Sequence, residues 1–335
     1  MKRRPMFLLL VAACLCLTAQ VLAAPINLTF QHNSSTGHTW QAGAEFMARE
    51  LAVRTDGQVS MTIYPAGVLA GRDWKRMLEQ VQTGVVDMMI EFPGAYATLV
   101  DEIWVMHTPF LFDDMDHFDR FRYDIPPQLQ AYFDKLEDYD VTLVGLWPRP
   151  FRQHVNSRRP IRTPEDLKGI KLRMPAVSFF LDTAAALGIE AIPLASGEIY
   201  TAIQLGTVDG EDNSINIVYD FKTYEVARYF TVWDYIPDAV LVVMNSAKWA
   251  SLPPDIQKTI REVAMEAGDL VLKLEKEHEV RNIERMKQEG VSFTFLTEQE
   301  KEPFREMVVP IWDKMRATLG AEDFDAIIKA IDAKR

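Results

Sequence analysis

Cysteine is almost missing from this sequence. The 335-residue chain holds two, Cys14 and Cys16, both inside an N-terminal apolar stretch, so the rest can form no disulfide and offers no thiol nucleophile. The glycines never fall as GxGxxG or GxxxxGK, which removes the usual phosphate cradles. No GxSxG elbow is present. The six histidines, His32, His38, His107, His117, His154 and His278, never make HExxH or another close ligand pair. Asp113, Asp114, Asp116, His117 and Asp119 lack the spacing and glycine of a calcium loop and read as a solvated acidic turn. Positive charge is also short: 36 basic against 48 acidic residues, net −12. Such a surface has no general grip on nucleic acid or anionic lipid, yet one pocket on it can still be positive. The expectation is no enzyme activity, no metal and no cofactor.

What is present begins with a leader. Lys2, Arg3 and Arg4 precede an apolar stretch, Met6 to Ala24, that ends in Val21-Leu22-Ala23, a small-residue cleavage site. This predicts a secretory signal peptide over 1–23, export to the periplasm and a mature chain starting at Ala24. A retained anchor and lipidation at Cys14 are the rival readings. No later stretch is apolar enough to span a membrane, so no direct membrane insertion of the mature chain is expected.

The mature chain is long enough for two α/β domains. Ile26 to Phe30 reads as a strand, and Trp40, Ala44, Met47 and Leu51 recur at helical spacing. Val59, Met61 and Ile63 alternate as a strand, Trp74 to Val81 is a second helix, and Val85 to Ile90 a third strand. That β-α-β-α-β run predicts a parallel sheet. The pattern restarts with strands at Val141 to Trp147 and Ile170 to Met174, a helix from Val177 to Leu187, and a helix capped by Ser196. A strand follows Thr207 to Gly210. Asp255 to Glu289 is a periodic segment of about 35 residues, roughly 50 Å long as one helix and thus longer than one lobe. Two helices broken near Gly268 are the alternative.

Arginines cluster in this acidic chain: Arg149, Arg152, Arg158, Arg159, Arg162 and Arg173. Arg152 follows one predicted strand and Arg173 ends another, where α/β folds place ligand contacts. A guanidinium meets a carboxylate with two hydrogen bonds and keeps its charge when desolvated. Salt bridges to the abundant acids are the bland alternative.

The stretch Arg159-Pro160-Ile161-Arg162-Thr163-Pro164-Glu165-Asp166-Leu167-Lys168-Gly169, continuing into Leu172-Arg173-Met174-Pro175, resembles the solute-binding subunits of TRAP (tripartite ATP-independent periplasmic) transporters. So does Val208-Asp209-Gly210-Glu211-Asp212-Asn213. The resemblance covers essentially the whole mature chain. It implies an α/β, type II-like two-lobe periplasmic binding protein, with a hinge and a long helix spanning both lobes. The expected division is 24–149 with 239–278 as lobe 1, and 150–238 with 279–335 as lobe 2. It also implies capture of a small organic carboxylate and delivery to two integral membrane TRAP subunits. By its motifs Arg173 grips the carboxylate, Asn213 and Arg152 add contacts, and Asn33 reaches the cleft from the first strand. Glu211, Asp212 and Ser214 depart from the common V-D-G-Q-E-N-P pattern.

Aromatic residues surround these positions: Phe92, Tyr96, Trp147, Phe151, Phe179 and Phe180. As a cleft lining they favour an acid bearing a ring, an indole or phenyl 2-oxo or amino acid, ahead of a sugar acid and then a C4-dicarboxylate. As core they favour nothing. A receptor for an ATP-driven importer or a sensor, and less so a periplasmic enzyme, remain the other function classes.

Overall fold

The computed structural model describes residues 24–335. The expected leader, with Cys14 and Cys16, lies outside the described residues. Strands β1 (Ile26–Gln31), β2 (Val59–Tyr64), β3 (Met88–Glu91), β4 (Val141–Asn156), β5 (Lys171–Met174), β6 (Glu190–Pro193), β7 (Gly210–Asn213), β8 (Tyr229–Asn245) and β9 (Ser292–Phe295) form one sheet. Its order is β2-β1-β3-β8-β4-β7-β5-β6, with β9 also on β8.

Two of these strands make the architecture. β4 has 16 residues and β8 has 17, roughly 50 Å each at strand rise, too long for one small sheet. They pair antiparallel along their length, with register shifts between Leu143 and Gly145, Arg149 and Arg152, and Arg152 and His154. The first-lobe strands join one half, β3 pairing with Leu241 to Met244 of β8. The second-lobe strands join the other, β7 on Gln153 to Asn156 and β9 on Tyr229 to Val232. Each lobe is thus a mostly parallel α/β layer sharing the same two through-strands.

Helix Pro254–Gln288 runs 35 residues without a break and buries side chains from Ile256 to Met286. Gly268 does not interrupt it: a Cβ there would stand 2.7 Å from Arg122 Nη1 and 3.1 Å from Trp147 Cδ1. Close packing, not a break, accounts for that glycine. In the first lobe, helix Thr39–Arg54 buries Trp40, Ala44, Met47 and Leu51 at the expected spacing. Gly43 lets it meet the long helix, since a Cβ would fall 2.8 Å from Val271.

Several expected elements shift. The third strand starts at Met88, because Val85 is 69% exposed and Asp87 turns its carboxylate to the amide and hydroxyl of Thr29. The strand after Thr207 lies at Gly210–Asn213. Ser196 caps no helix; it opens a short 3-10 turn, and its hydroxyl receives Arg173 instead. β4 continues nine residues past Trp147, through Pro148 and Pro150. β8, with Pro237 inside it, has no counterpart in the periodicity. Among the described residues no helix is long and apolar enough to cross a membrane.

Candidate functional site

Where β4 and β8 cross from lobe to lobe they carry charge through the interior. Arg149 Nη1 donates to Asp238 Oδ2 at 3.0 Å, and Arg152 Nη1 reaches the same oxygen at 3.5 Å. Arg152 also donates through Nε to the Asp212 carboxylate and through Nη2 to the Asp212 carbonyl at 2.7 Å. Asp212 further accepts the Tyr235 hydroxyl. Burial opposes the charge of Asp238, but Arg149, His107 and Arg152 beside it hold its carboxyl down at about 2. Burial likewise opposes Arg152, and Asp212 and Asp238 outweigh it, so its guanidinium is held above its ordinary range. This web balances its own charges.

Arg173 is different. It lies on β5 between β6 and β7 and is 4% exposed. Its Nε donates to the Leu194 carbonyl at 2.8 Å and its Nη2 to Ser196 Oγ at 3.4 Å. Both partners are neutral, and among the described residues no carboxylate pairs with it. Burial pulls its pKa down to about 10, with Glu211 offsetting part of that. The charge persists at neutral pH, buried and without a counter-ion.

Asn213 ends the adjacent strand. Its amide nitrogen donates to Glu211 Oε2 at 3.1 Å, and its carbonyl accepts Arg149 Nη2 at 3.3 Å. Glu211 also takes the Thr223 hydroxyl, and burial raises its carboxyl. The two acids that depart from the family pattern, Glu211 and Asp212, are therefore both buried and bonded. From the first lobe, Asn33 donates Nδ2 to Glu91 Oε2 at 2.7 Å. Glu91 also accepts the Phe92 amide, and burial lifts its carboxyl to about 7.

The aromatic residues divide. Phe92 meets Trp74 edge-on at 5.9 Å and His107 at 6.4 Å. Trp104 stacks on Phe179 at 5.0 Å with the rings 2° from parallel, and Phe180 stands edge-on to His107 at 5.4 Å. The Arg152 guanidinium lies 4.7 Å from the Phe180 ring centre. Phe92, Trp104, Phe179 and Phe180 thus make a band joining the lobes. Tyr96 does not face it: its hydroxyl is tied to the Leu241 carbonyl at 3.2 Å within the first-lobe core. Trp147 lies under the long helix, with Nε1 on the Ala264 carbonyl at 2.7 Å. Phe151 is buried in the same apolar cluster as Phe179.

Arg149, Glu91, Asp238, His107 and Trp104 were not singled out individually from the sequence as site residues. Glu91 closes an apolar strand, so the strand-end rule points to it; Asp238 sits in the unforeseen β8, where no such signal exists. The acidic turn is occupied: Asp114 caps helix Met115–Arg122, Asp119 pairs with Arg122, and Asp116 pairs with Lys276. A surface groove of about 150 Å³ lies elsewhere, beside the long helix, and its Arg122 and Arg261 are engaged by Asp119 and the Leu143 carbonyl.

Two α/β lobes on shared through-strands, spanned by one helix, with a buried guanidinium on a second-lobe strand, have the architecture of a two-lobe solute receptor. The model of the bacterial extracellular solute-binding protein family 7 matches residues 30–318. The chain belongs to that family, the periplasmic solute-binding proteins of TRAP transporters. It is 28% identical to the 2,3-diketo-L-gulonate-binding periplasmic protein YiaO of Escherichia coli, over 89% of this chain and 89% of that one. It is 27% identical to the C4-dicarboxylate-binding periplasmic protein DctP of Rhodobacter capsulatus, over 96% of each. A TRAP periplasmic solute-binding protein from Ochrobactrum anthropi, solved with its C-terminus bound in the ligand-binding pocket, superposes with a TM-score of 0.85. Its identity is 29%, over 92% of this chain and 96% of that one.

Proposed function

We propose that this protein captures a small organic carboxylate between its lobes and hands it to two integral membrane TRAP subunits, without turning it over. The observation that carries this reading is Arg173, a buried cation bonded only to neutral oxygens. Burying a charge without a counter-ion is costly, and a ligand carboxylate supplies the missing one. Asn213 and Asn33 serve as neighbouring polar contacts. Arg152 joins the site through its 3.5 Å contact to Asp238, the longest of its bonds and the one a ligand oxygen can take over.

We further propose that the ligand carries a ring, an indole or phenyl acid ahead of a sugar acid or C4-dicarboxylate. The Phe92, Trp104, Phe179 and Phe180 band supports this, with Phe151 behind it; Tyr96 supports the wall from the core. The relatives' named ligands, a sugar acid and dicarboxylates, share the acid group and argue for the carboxylate rather than the ring. The division into 24–149 with 239–278 and 150–238 with 279–335 is proposed as well. In it the C-terminal helices Val309–Leu319 and Ala321–Asp332 act as a brace back to the first lobe. Trp312 Nε1 donates to the Pro109 carbonyl, and the Tyr132 hydroxyl bonds the Leu319 carbonyl.

Calorimetry on matched acids and their primary amides tests the function. Binding of an acid but not its amide, lost in Arg173→Ala, is the expected result. Equal binding of the amide overturns it, as does turnover of a bound acid.

A further inference from the structure

A buried acid stands beside Arg173 and is held off it. Arg173 on β5 and Glu211 on β7 are partners in register, on strands about 4.8 Å apart with both side chains on one face of the sheet. Opposite charges so placed attract each other, yet they are not bonded. Glu211 accepts the Thr223 hydroxyl on one oxygen and Asn213 Nδ2 on the other, at 3.1 Å. Arg173 donates instead to the Leu194 carbonyl and the Ser196 hydroxyl. Glu211 is fully buried, so water does not screen it, and it is the largest influence opposing the burial of the Arg173 charge. Position 211 departs from the V-D-G-Q-E-N-P pattern, so this carboxyl is a feature of the chain itself.

From this arrangement we infer that Glu211 sets how tightly the receptor holds an acid: its carboxyl competes with the ligand carboxylate for the charge of Arg173, so that binding the acid draws a proton onto Glu211. The same carboxyl bonds Asn213, the second proposed contact, so it bears on both arms of the grip. An arriving carboxylate adds negative charge beside Glu211, and like charges at close range disfavour each other's ionised form. Glu211 is the one to take the proton, because burial already raises its carboxyl and the ligand is fixed by Arg173. Arg173 from β5 and Arg152 from β4 are the charges that act on Glu211. Val155, its register partner on β4, and Thr223 carry none. Beside it in the strand, Asp212 is engaged by Arg152 and Tyr235. His154, in register with Asp212, is kept neutral by burial, at about 4, and Glu198 acts on Arg173 from the solvent side. The inference rests on the carboxylate reading above and deepens it.

The test is titration calorimetry on the full mature chain with indole-3-acetate, D-glucuronate and succinate, between about pH 6.5 and 8.5, where carboxylic acids are ionised. For an acid that binds, wild-type affinity should fall as pH rises, by at most about tenfold per pH unit for one proton. Heats in two buffers of different ionisation enthalpy should show that proton taken up. Glu211→Gln is neutral throughout and can keep both side-chain partners. It should abolish the slope and bind about tenfold tighter than wild type at the alkaline end, the equivalent of one unit of displaced pKa. If Glu211→Gln does not fold, as judged by its thermal melt, the proton count of Glu91→Gln decides: uptake that persists supports Glu211, and uptake that disappears overturns it. Wild-type affinity that ignores pH overturns the inference, as does a slope that survives in Glu211→Gln. Equal weakening at every pH by Glu211→Gln makes Glu211 a support for Asn213 alone and overturns it too. Each of these leaves the carboxylate reading standing. Binding of no acid in the panel, or equal binding of its primary amide, overturns both.

Discussion

Arg152 and Arg173 are buried to the same degree, 4% exposed each, and do opposite work. Arg152 is surrounded by Asp212 and Asp238, so its charge is balanced within the chain and it holds the two through-strands together where the lobes cross, beside any contact it makes to a ligand. Arg173 hydrogen-bonds only to the Leu194 carbonyl and the Ser196 hydroxyl, so no carboxylate pairs with it directly and Glu211 offsets only part of the burial of its charge. The difference teaches that burial does not by itself mark a binding residue. The missing counter-ion is the feature on which Arg173 is proposed as one.

The comparison breaks most sharply on stability. Arg152→Ala leaves Asp212 in the interior without its cation, while Asp238 keeps Arg149, and should cost about 3–5 kcal/mol of unfolding free energy, as expected for removing one partner of a buried pair. Chemical denaturation reads this directly. Arg173→Ala removes a buried, unpaired cation and should leave the melting point unchanged or raised. A stability loss in Arg173→Ala as large as that in Arg152→Ala would erase the distinction.

On binding the order reverses. Arg173→Ala should weaken the bound acid by about 2–5 kcal/mol, the scale for truncating one side of a buried charge contact. Arg173→Lys should recover only part, because an ammonium lacks the two-pronged fork. Titration calorimetry with an acid that binds wild type measures both; an Arg173→Ala protein of wild-type affinity would remove Arg173 from the site.

The pH dependence sharpens the comparison on the acid side. Asp238, like Arg152, is paired, and its carboxyl sits at about 2 against an ordinary 3.8. Its contribution to stability is present above 3.8 and is lost as pH falls toward 2. Glu91 is raised by burial from 4.5 to about 7, so the folded chain holds a proton that the unfolded chain has released. Its contribution is complete below 4.5 and is lost as pH rises through about 7. The change is on the order of 3 kcal/mol across that window. Burial also raises Glu211 and Glu275, so the difference between wild type and Glu91→Gln isolates Glu91. Glu91→Gln should gain stability relative to wild type between pH 5 and 8; parallel pH curves would show that Glu91 ionises as in water.

Much of this was legible in the residues. The Trp40, Ala44, Met47, Leu51 stripe named its helix, and the unbroken periodicity after Asp255 named the spanning helix. The motif around Leu172-Arg173-Met174-Pro175 led to the one arginine that, among the described residues, is both fully buried and unpaired with a carboxylate. The pairing of Arg152 was not legible, because its partner Asp238 is on β8. That strand buries both faces, so it shows no alternation, and Pro237 within it argues against a strand at all. Tyr96 and Trp147 show the limit for aromatics. Each follows or ends a strand as a cleft residue would, and only the Leu241 and Ala264 carbonyls they bond place them in the core.

The smallest expected effect concerns the ring. If the band of Phe92, Trp104, Phe179 and Phe180 opens onto the ligand, burying an aromatic group against two of those faces adds about 1–3 kcal/mol beyond the charge contact. That is one to two decades of affinity, enough to separate phenyl and indole acids from succinate or glucuronate. A ligand that binds only the folded chain raises its melting point with affinity, so a thermal-shift panel of these acids ranks them in one experiment. The band also has an alternative use. Trp104 already stacks on Phe179 across the lobes, and that stack holds the lobes together whether or not a ring sits between them. Phe179→Ala separates the uses: a cleft wall loses affinity for ring acids and keeps it for succinate, whereas an interlobe clasp loses stability and changes all acids alike. Sugar acids or succinate shifting the melt while phenyl and indole acids do not would assign the band to the clasp. Arg173 would remain the proposed carboxylate residue in that case, because its missing counter-ion does not depend on what the rings touch.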